Sequence, residues 1–277
     1  MSSLPGNEKT GNNSRLFAIG DLHLSFSNLI DKPMDVFGAA WHDHTARLEA
    51  AWREDVAPGD TVIVLGDISW ALKTEDAMPD LEWIHALPGR KILLRGNHDL
   101  WWHGITNLNT LWPGEMIFLQ NNCVMLDRPA AARATVASVD IGIAEGVPSL
   151  PAGEGSSCIA VCGSRGWGLP GLEDYGKDDE KILARELIRI RMSFEAATLA
   201  GADAIVCALH FPPAIGPAFE SSFTELIESW PTPVTQVVYG HLHTPSAFRK
   251  GLQGEHGSVR YSLASADYLG FKPLRIL

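Results

Sequence analysis

Short apolar, β-branched runs alternate along this chain with longer stretches whose apolar residues recur at helical spacing. Runs of the first kind are Leu16-Phe17-Ala18-Ile19, Thr61-Val62-Ile63-Val64-Leu65, Ile92-Leu93-Leu94, Ala204 to Leu209 and Val234 to Tyr239. Bounded by Gly or polar residues, they predict buried strands. Cys158 to Gly163 predicts another, and Val259 to Leu263 and Leu274 to Leu277 read as closing strands. Between them, Leu48, Ala51, Trp52 and Val56 mark one helix, while Leu81, Ile84 and Leu87 mark a second, ended by Pro88-Gly89. The longest apolar stripe, Ile182, Leu183, Leu187, Ile190, Phe194 and Ala197, predicts a helix from Asp178 to Ala200. A shorter helix is expected from Ser222-Phe223-Thr224-Glu225, which has capping-box spacing. Strands alternating with helices predict a layered α/β sandwich.

One segment breaks the alternation. Residues 100–157 open with Trp101-Trp102-His103 and end in Gly-, Pro- and Ser-rich sequence, so they are expected to form an insert or lip. Residues 1–14 are polar and read as a disordered tail, leaving 15–277 as one domain. With 45% hydrophobic residues in 277, the chain has enough apolar material for a sizeable core. No run approaches the roughly 18 apolar residues of a membrane span, and none at the N-terminus has signal-peptide character. Cys123, Cys158, Cys162 and Cys207 lack zinc-type spacing and read as reduced thiols, which with the other features points to the cytoplasm. The net charge of −11 disfavours nonspecific binding to nucleic acid but leaves a local basic patch open. The sequence sets no oligomeric state.

The polar residues that follow the strands change the picture most. Asp21-Leu22-His23, Gly66-Asp67, Gly96-Asn97-His98-Asp99, His210 and Gly240-His241-Leu242-His243 each come directly after an apolar run. Open α/β sheets bind ligands beyond the carboxyl ends of their strands, so five such ends can bring these residues together. Taken singly, each segment is an ordinary turn or a core histidine; their joint occurrence points to a site. Carboxylate, imidazole and amide oxygens suit Mn, Fe or Zn, whereas a closed structural zinc site would show several cysteines. A pair of such ions about 3.5–4 Å apart generates hydroxide from water and clamps the oxygens of an in-line displacement at phosphorus.

In this order the segments resemble the DxH, GD, GNHD, H, GHxH signature of the calcineurin-like metallophosphoesterase superfamily, from Asp21 to His243. The stretches Lys32-Pro33-Met34-Asp35-Val36-Phe37-Gly38 and Gly163-Ser164-Arg165-Gly166-Trp167 further look like a bacterial subgroup of phosphohydrolases with no settled substrate. The resemblance implies an α/β/β/α sandwich of two packed mixed sheets with the metal site at the C-terminal strand ends. Carried over residue by residue, it implies that Asp21, His23 and His243 hold one metal, that Asn97, His210 and His241 hold the second, and that Asp67 bridges them. His98 would stabilise the phosphoryl oxygens or protonate the leaving group, and Asp99 would orient its imidazole. The implied activity is hydrolysis of a phosphomonoester, phosphodiester or nucleotide by a metal-bridging hydroxide.

One departure narrows the substrate. Protein Ser/Thr phosphatases of the superfamily follow the bridging Asp with an Asp-Arg pair that grips phosphate, whereas Asp67 is followed by Ile68-Ser69-Trp70-Ala71. The expected partner is therefore a small phosphorylated molecule, with the residue gripping the phosphate unassigned. Arg165, in a Gly-rich turn, is a candidate phosphate ligand, with a structural ion pair as its alternative. Trp101 and Trp102 are candidates to stack on a base or aromatic leaving group, with packing as the alternative, and His103 is a candidate to face substrate. Arg95 reads as structural, and Arg185, Arg189 and Arg191 read as a solvated helix face. Two other functions compete: a noncatalytic scaffold on the same fold, which the unbroken ligand set disfavours, and a nuclease, which the acidic balance disfavours.

Overall fold

The computed structural model describes residues 14–127, 135–138, 158–170, 175–216 and 219–277. Residues 1–13, which make up almost all of the expected tail, lie outside this range, as do 128–134 and 139–157 of the expected lip. Two mixed sheets pack face to face. In the first, β1 (Leu16–Ile19), β2 (Thr61–Val64), β3 (Arg90–Leu93) and β4 (Met116–Phe118) run parallel, and β12 (Leu274–Arg275) closes the edge antiparallel to β1. In the second, β7 (Cys158–Ser164), β8 (Ala204–Leu209), β9 (Val234–Tyr239) and β11 (Val259–Leu263) are parallel. The antiparallel strands β5 (Asn122–Asp127), β6 (Thr135–Ser138) and β10 (Gly254–His256) extend its two sides.

Strand alternation divides the core into three layers, because successive side chains point to opposite faces. Leu16, Ala18, Ile63, Leu65 and Ile92 meet Val124, Val161, Val206, Ala208 and Val238 between the sheets. On the outer face of the first sheet, Phe17, Ile19, Val62 and Val64 receive Leu48 and Trp52 of α1 (His44–Asp55) and Leu81 and Ile84 of α2 (Thr74–Ala86). The short α3 (Ile105–Leu108) packs there too, through Leu108. The outer face of the second sheet receives Ile190 and Phe194 of α4 (Lys177–Leu199) and Phe223 of α5 (Ser222–Glu228). A one-turn α6 (Pro245–Phe248) follows the last motif. The expected α/β/β/α sandwich is the observed one.

Two local expectations are corrected. Ser221, one residue earlier than read from sequence, caps α5: its Oγ accepts from the Phe223 and Thr224 amides, and Thr224 closes the capping box. The described start of the expected lip, 100–127, is largely framework, since it supplies α3, β4 of one sheet and β5 of the other. The four cysteines lie on β5, β7 and β8 and are not in disulfides. Among the described residues no helix is long and apolar enough to cross a membrane.

Candidate metal centre

The loops that leave β1, β2, β3, β8 and β9 meet at one end of the sandwich. Their backbones bond to one another: the Asp21 amide donates to the Gly66 carbonyl at 2.9 Å, the His23 amide to the Asp67 carbonyl at 3.0 Å, and the Gly240 amide to the His210 carbonyl at 3.0 Å. Asp21, His23, Asp67 and His241 have φ of 60°, 48°, 48° and 72°. Left-handed backbone at non-glycine residues costs on the order of 1 kcal/mol or more each, and it persists where surrounding bonds over-determine it. Here they do. Asp21 accepts from the His241 amide at 2.9 Å, and Asp67 accepts from the His98 amide at 2.8 Å. Close approach also explains Gly96 and Gly240, where a Cβ would collide with the carboxylates of Asp67 and Asp21.

Two ligand groups result. Asp21, His23 and His243 offer one donor atom each, all within 4.8 Å of one another, and Asp67, His210 and His241 do the same. Asp67 faces both groups: its Oδ1 lies 3.5 Å from His210 Nε2 and its Oδ2 lies 4.0 Å from His23 Nε2. Asn97 joins the second group through Oδ1, which is 2.7 Å from His210 Nε2.

The hydrogen bonding of His210 tests whether a cation fits. Its Nδ1 lies 2.9 Å from the Leu65 carbonyl, which can only accept, so Nδ1 carries the proton and Nε2 presents a lone pair. That lone pair faces Asn97 Oδ1, Asp67 Oδ1 and, at 3.2 Å, His241 Nδ1. A lone pair set among amide, carboxylate and imidazole ligand atoms makes a place for a cation. Burial depresses the imidazoles of His210, His23 and His241, the last two to about 3, which keeps them neutral as metal binding requires. Burial and the adjacent Asp21 raise Asp67 to about 7. Burial also works against Asp21, but its bond to His243 and the charges of His243, His210 and His23 hold it below the ordinary carboxylate range. His243, though buried, is lifted to about 10 by hydrogen bonds to Asp21 and Asp267.

The residues expected around the ligands fall into different places. His98 sits over the centre with a side chain 46% exposed and Nε2 3.9 Å from Asp67 Oδ2. Asp99 has no part in orienting it. The Asp99 carboxylate is fully buried and accepts from the Ile68, Ser69 and Gly96 amides and from Trp101 Nε1, tying the β2 and β3 loops together. Trp101 is likewise fully buried beneath that loop, and Trp102 packs edge-on against Phe118, so neither is placed to stack on a substrate. His103 is exposed. Arg165 lies 3.7 Å from Glu186 and over the ring of Trp167.

Several contributors were not read from the sequence. Asp267, whose Oδ1 is 3.2 Å from His243 Nδ1, lies in an Ala-Ser-Ala-Asp stretch without motif character. Trp70 stacks on His23 with ring centroids 4.8 Å apart and lies 4.6 Å from His98, while Trp41 meets His23 edge-on at 5.7 Å. His44 packs against Trp41 and Phe271.

A two-sheet sandwich with paired Asp/His groups at its strand ends is the architecture of a metallophosphoesterase. The chain matches the calcineurin-like phosphoesterase family over residues 14–245 and belongs to it. It is 39% identical over 88 residues to the gene 66 protein of Mycobacterium phage L5, an alignment covering 31% of this chain and 40% of the phage protein. The chain thus matches less than half the length of that relative. Among solved structures it is similar to the calcineurin-like phosphoesterase YfkN of Bacillus subtilis, with 16% identity, TM-score 0.47 and coverage of 92% of this chain and 82% of the other. It is also similar to AQ665, a protein of unknown function from Aquifex aeolicus, with 15% identity, TM-score 0.41 and coverage of 95% and 96%.

Proposed function

We propose that this protein is a binuclear metal-dependent phosphoesterase acting on a small phosphomonoester, phosphodiester or nucleotide. The observation that carries the reading is Asp67, one carboxylate whose two oxygens serve two separate groups of imidazoles. Asp21, His23 and His243 would hold one ion and Asn97, His210 and His241 the other, with Asp67 between them. Divalent ions of the Mn, Fe or Zn type, bound there, supply a water of lowered pKa and positive charge for the phosphoryl oxygens. The chain supplies the rest. His98 would donate a proton or charge to the leaving oxygen, and Trp70 packs against its ring. Asp267 holds His243 from behind, and the Leu65 carbonyl holds His210, each fixing which nitrogen faces the centre.

Hydrolysis of nitrophenyl mono- and diesters, a nucleotide panel and single-stranded DNA, measured with added Mn, tests the reading. Activity is expected on small esters, lost on chelation and restored by Mn, with Asp67→Ala binding metal poorly and turning over nothing. Full activity in exhaustively metal-free protein, or near-normal turnover in Asp67→Ala, would sink it. Metal binding without turnover on any substrate would favour the scaffold, and turnover confined to DNA the nuclease.

A further inference from the structure

Three guanidinium groups gather around one fully buried carboxylate, and a fourth stands close by. Glu186, midway along α4, has Oε1 3.0 Å from Arg189, 3.7 Å from Arg165 and 3.8 Å from Arg185. Arg95, two residues before Asn97, is the fourth, close enough for its charge to act on Arg165 and for the charges of Asp99, Arg189, Glu186 and Arg185 to act on it. One carboxylate does not neutralise four cations. The other described acids nearby keep their charge while accepting hydrogen bonds: Asp99 from four N–H donors, and Asp179 from Trp167 Nε1 and the Gly176 amide. Four cations against these three carboxylates still leave a positive excess in a chain whose total charge is −11.

Arg165 is the residue with unused bonding capacity. Its Nε is fully buried with no acceptor, and 3.7 Å from Glu186 is beyond hydrogen-bond reach for its terminal nitrogens. Burial lowers it to about 10, which still leaves it cationic at neutral pH. Its carbonyl accepts from the His210 and Phe211 amides, so its backbone is fixed to the ligand loop. Its guanidinium lies 4.3 Å over Trp167, Trp167 is 5.1 Å from Phe211, and Phe211 is 4.0 Å from His241. This row leads from the metal centre to the arginines.

We propose that the arginines around Glu186, with Arg165 foremost, form a second oxyanion subsite, so that the preferred substrates carry two phosphoryl groups, one at the metal centre and one here. Guanidinium forks match phosphate oxygens bidentately, and Glu186 is the internal counter-anion that keeps three of the cations together until a ligand arrives. The assignment of the reacting phosphate rests on the function proposed above; the subsite itself needs no metal.

Calorimetric titration of inorganic phosphate into the Mn-loaded protein and into the same protein under chelation separates the two. One phosphate is expected to bind still under chelation, about tenfold or more weaker in Arg165→Gln, the effect of losing a charged hydrogen bond. Glu186→Gln is expected to bind it tighter, because a competing anion is gone, and a gain of affinity is a result that misfolding does not produce. No phosphate bound under chelation, or weaker binding in Glu186→Gln, would overturn the subsite while leaving the metal reading intact. A second arm compares adenosine 3′,5′-bisphosphate with the monophosphate. The bisphosphate is expected to bind the Mn-loaded protein about tenfold or more tighter, an advantage lost in Arg165→Gln. Equal affinity would mark a site for free phosphate only and overturn the role in substrate recognition. A protein that binds the bisphosphate preferentially yet hydrolyses nothing supports the subsite and counts against the hydrolase.

Discussion

His98 is anchored through its main chain, and its ring rests against Trp70. Its amide donates to Asp67 Oδ1 at 2.8 Å, so the residue stays in place whatever side chain it bears, while the imidazole is half exposed above the centre. His98→Asn is therefore expected to keep the fold and both metals and to lower kcat by about 10²–10⁴, the range for loss of a general acid. The loss should shrink for nitrophenyl esters, whose leaving group needs little protonation. His210→Asn should differ, shedding metal first, because both of its nitrogens are committed to the Leu65 carbonyl and to the ligand cluster. Metal content measured beside kinetics on a good and a poor leaving group decides it: metal loss in His98→Asn, or equal slowing on both, removes the acid role. The seven candidate ligand positions were legible because their short polar motifs directly follow apolar runs and together resemble the superfamily signature. Asp267 was not, since nothing local distinguishes an acid that supports His243 from across a loop. Asp99 was misread for a related reason: adjacency to His98 suggested contact, whereas the turn sends its carboxylate inward to the amides of the β2 loop.

At the scale of elements, strands facing one hydrophobic layer on each side read clearly as continuous apolar runs, and α1, α2 and α4 read clearly from their stripes. What failed was the segment after the GNHD motif. Trp101-Trp102 at the mouth of a predicted site suggested a substrate platform, but burial of two large aromatics under the loop is worth more than their exposure at a rim. Trp101 is fully buried and donates to Asp99, so it supports both the outer core of the first sheet and the loop that carries Asn97 and His98. Trp101→Ala is expected to destabilise the protein by about 3–5 kcal/mol, and Trp101→Phe, which keeps most packing but removes one of the three N–H donors to Asp99 Oδ1, by about 1–3 kcal/mol. Denaturant unfolding of the two variants measures this. A Trp101→Ala protein of normal stability with an altered leaving-group preference would restore the platform reading.

For the molecule as a whole, the centre couples protonation, metal and stability. Asp67, raised to about 7, and His243, raised to about 10, both hold protons in the metal-free fold that their unfolded counterparts release at lower pH. The stability such groups contribute is full below their ordinary pKa and is lost as pH rises through the raised value. His23 and His241, depressed to about 3, act oppositely, and their contribution is lost as pH falls below the ordinary imidazole range. Above about pH 7 their slope is spent, so in chelator the melting temperature should fall with rising pH as His243 gives up its proton. A divalent ion needs that same nitrogen deprotonated, so its affinity should rise over the same interval, with release of protons on binding. The gap in melting temperature between metal-loaded and chelated protein is therefore expected to widen from about pH 6.5 to about pH 8.5. Thermal unfolding in both states, with calorimetry in two buffers of different ionisation enthalpy to count the protons, tests the linkage. A gap that stays constant or narrows, with no proton released, would show that the charge on His243 is not what the metal displaces.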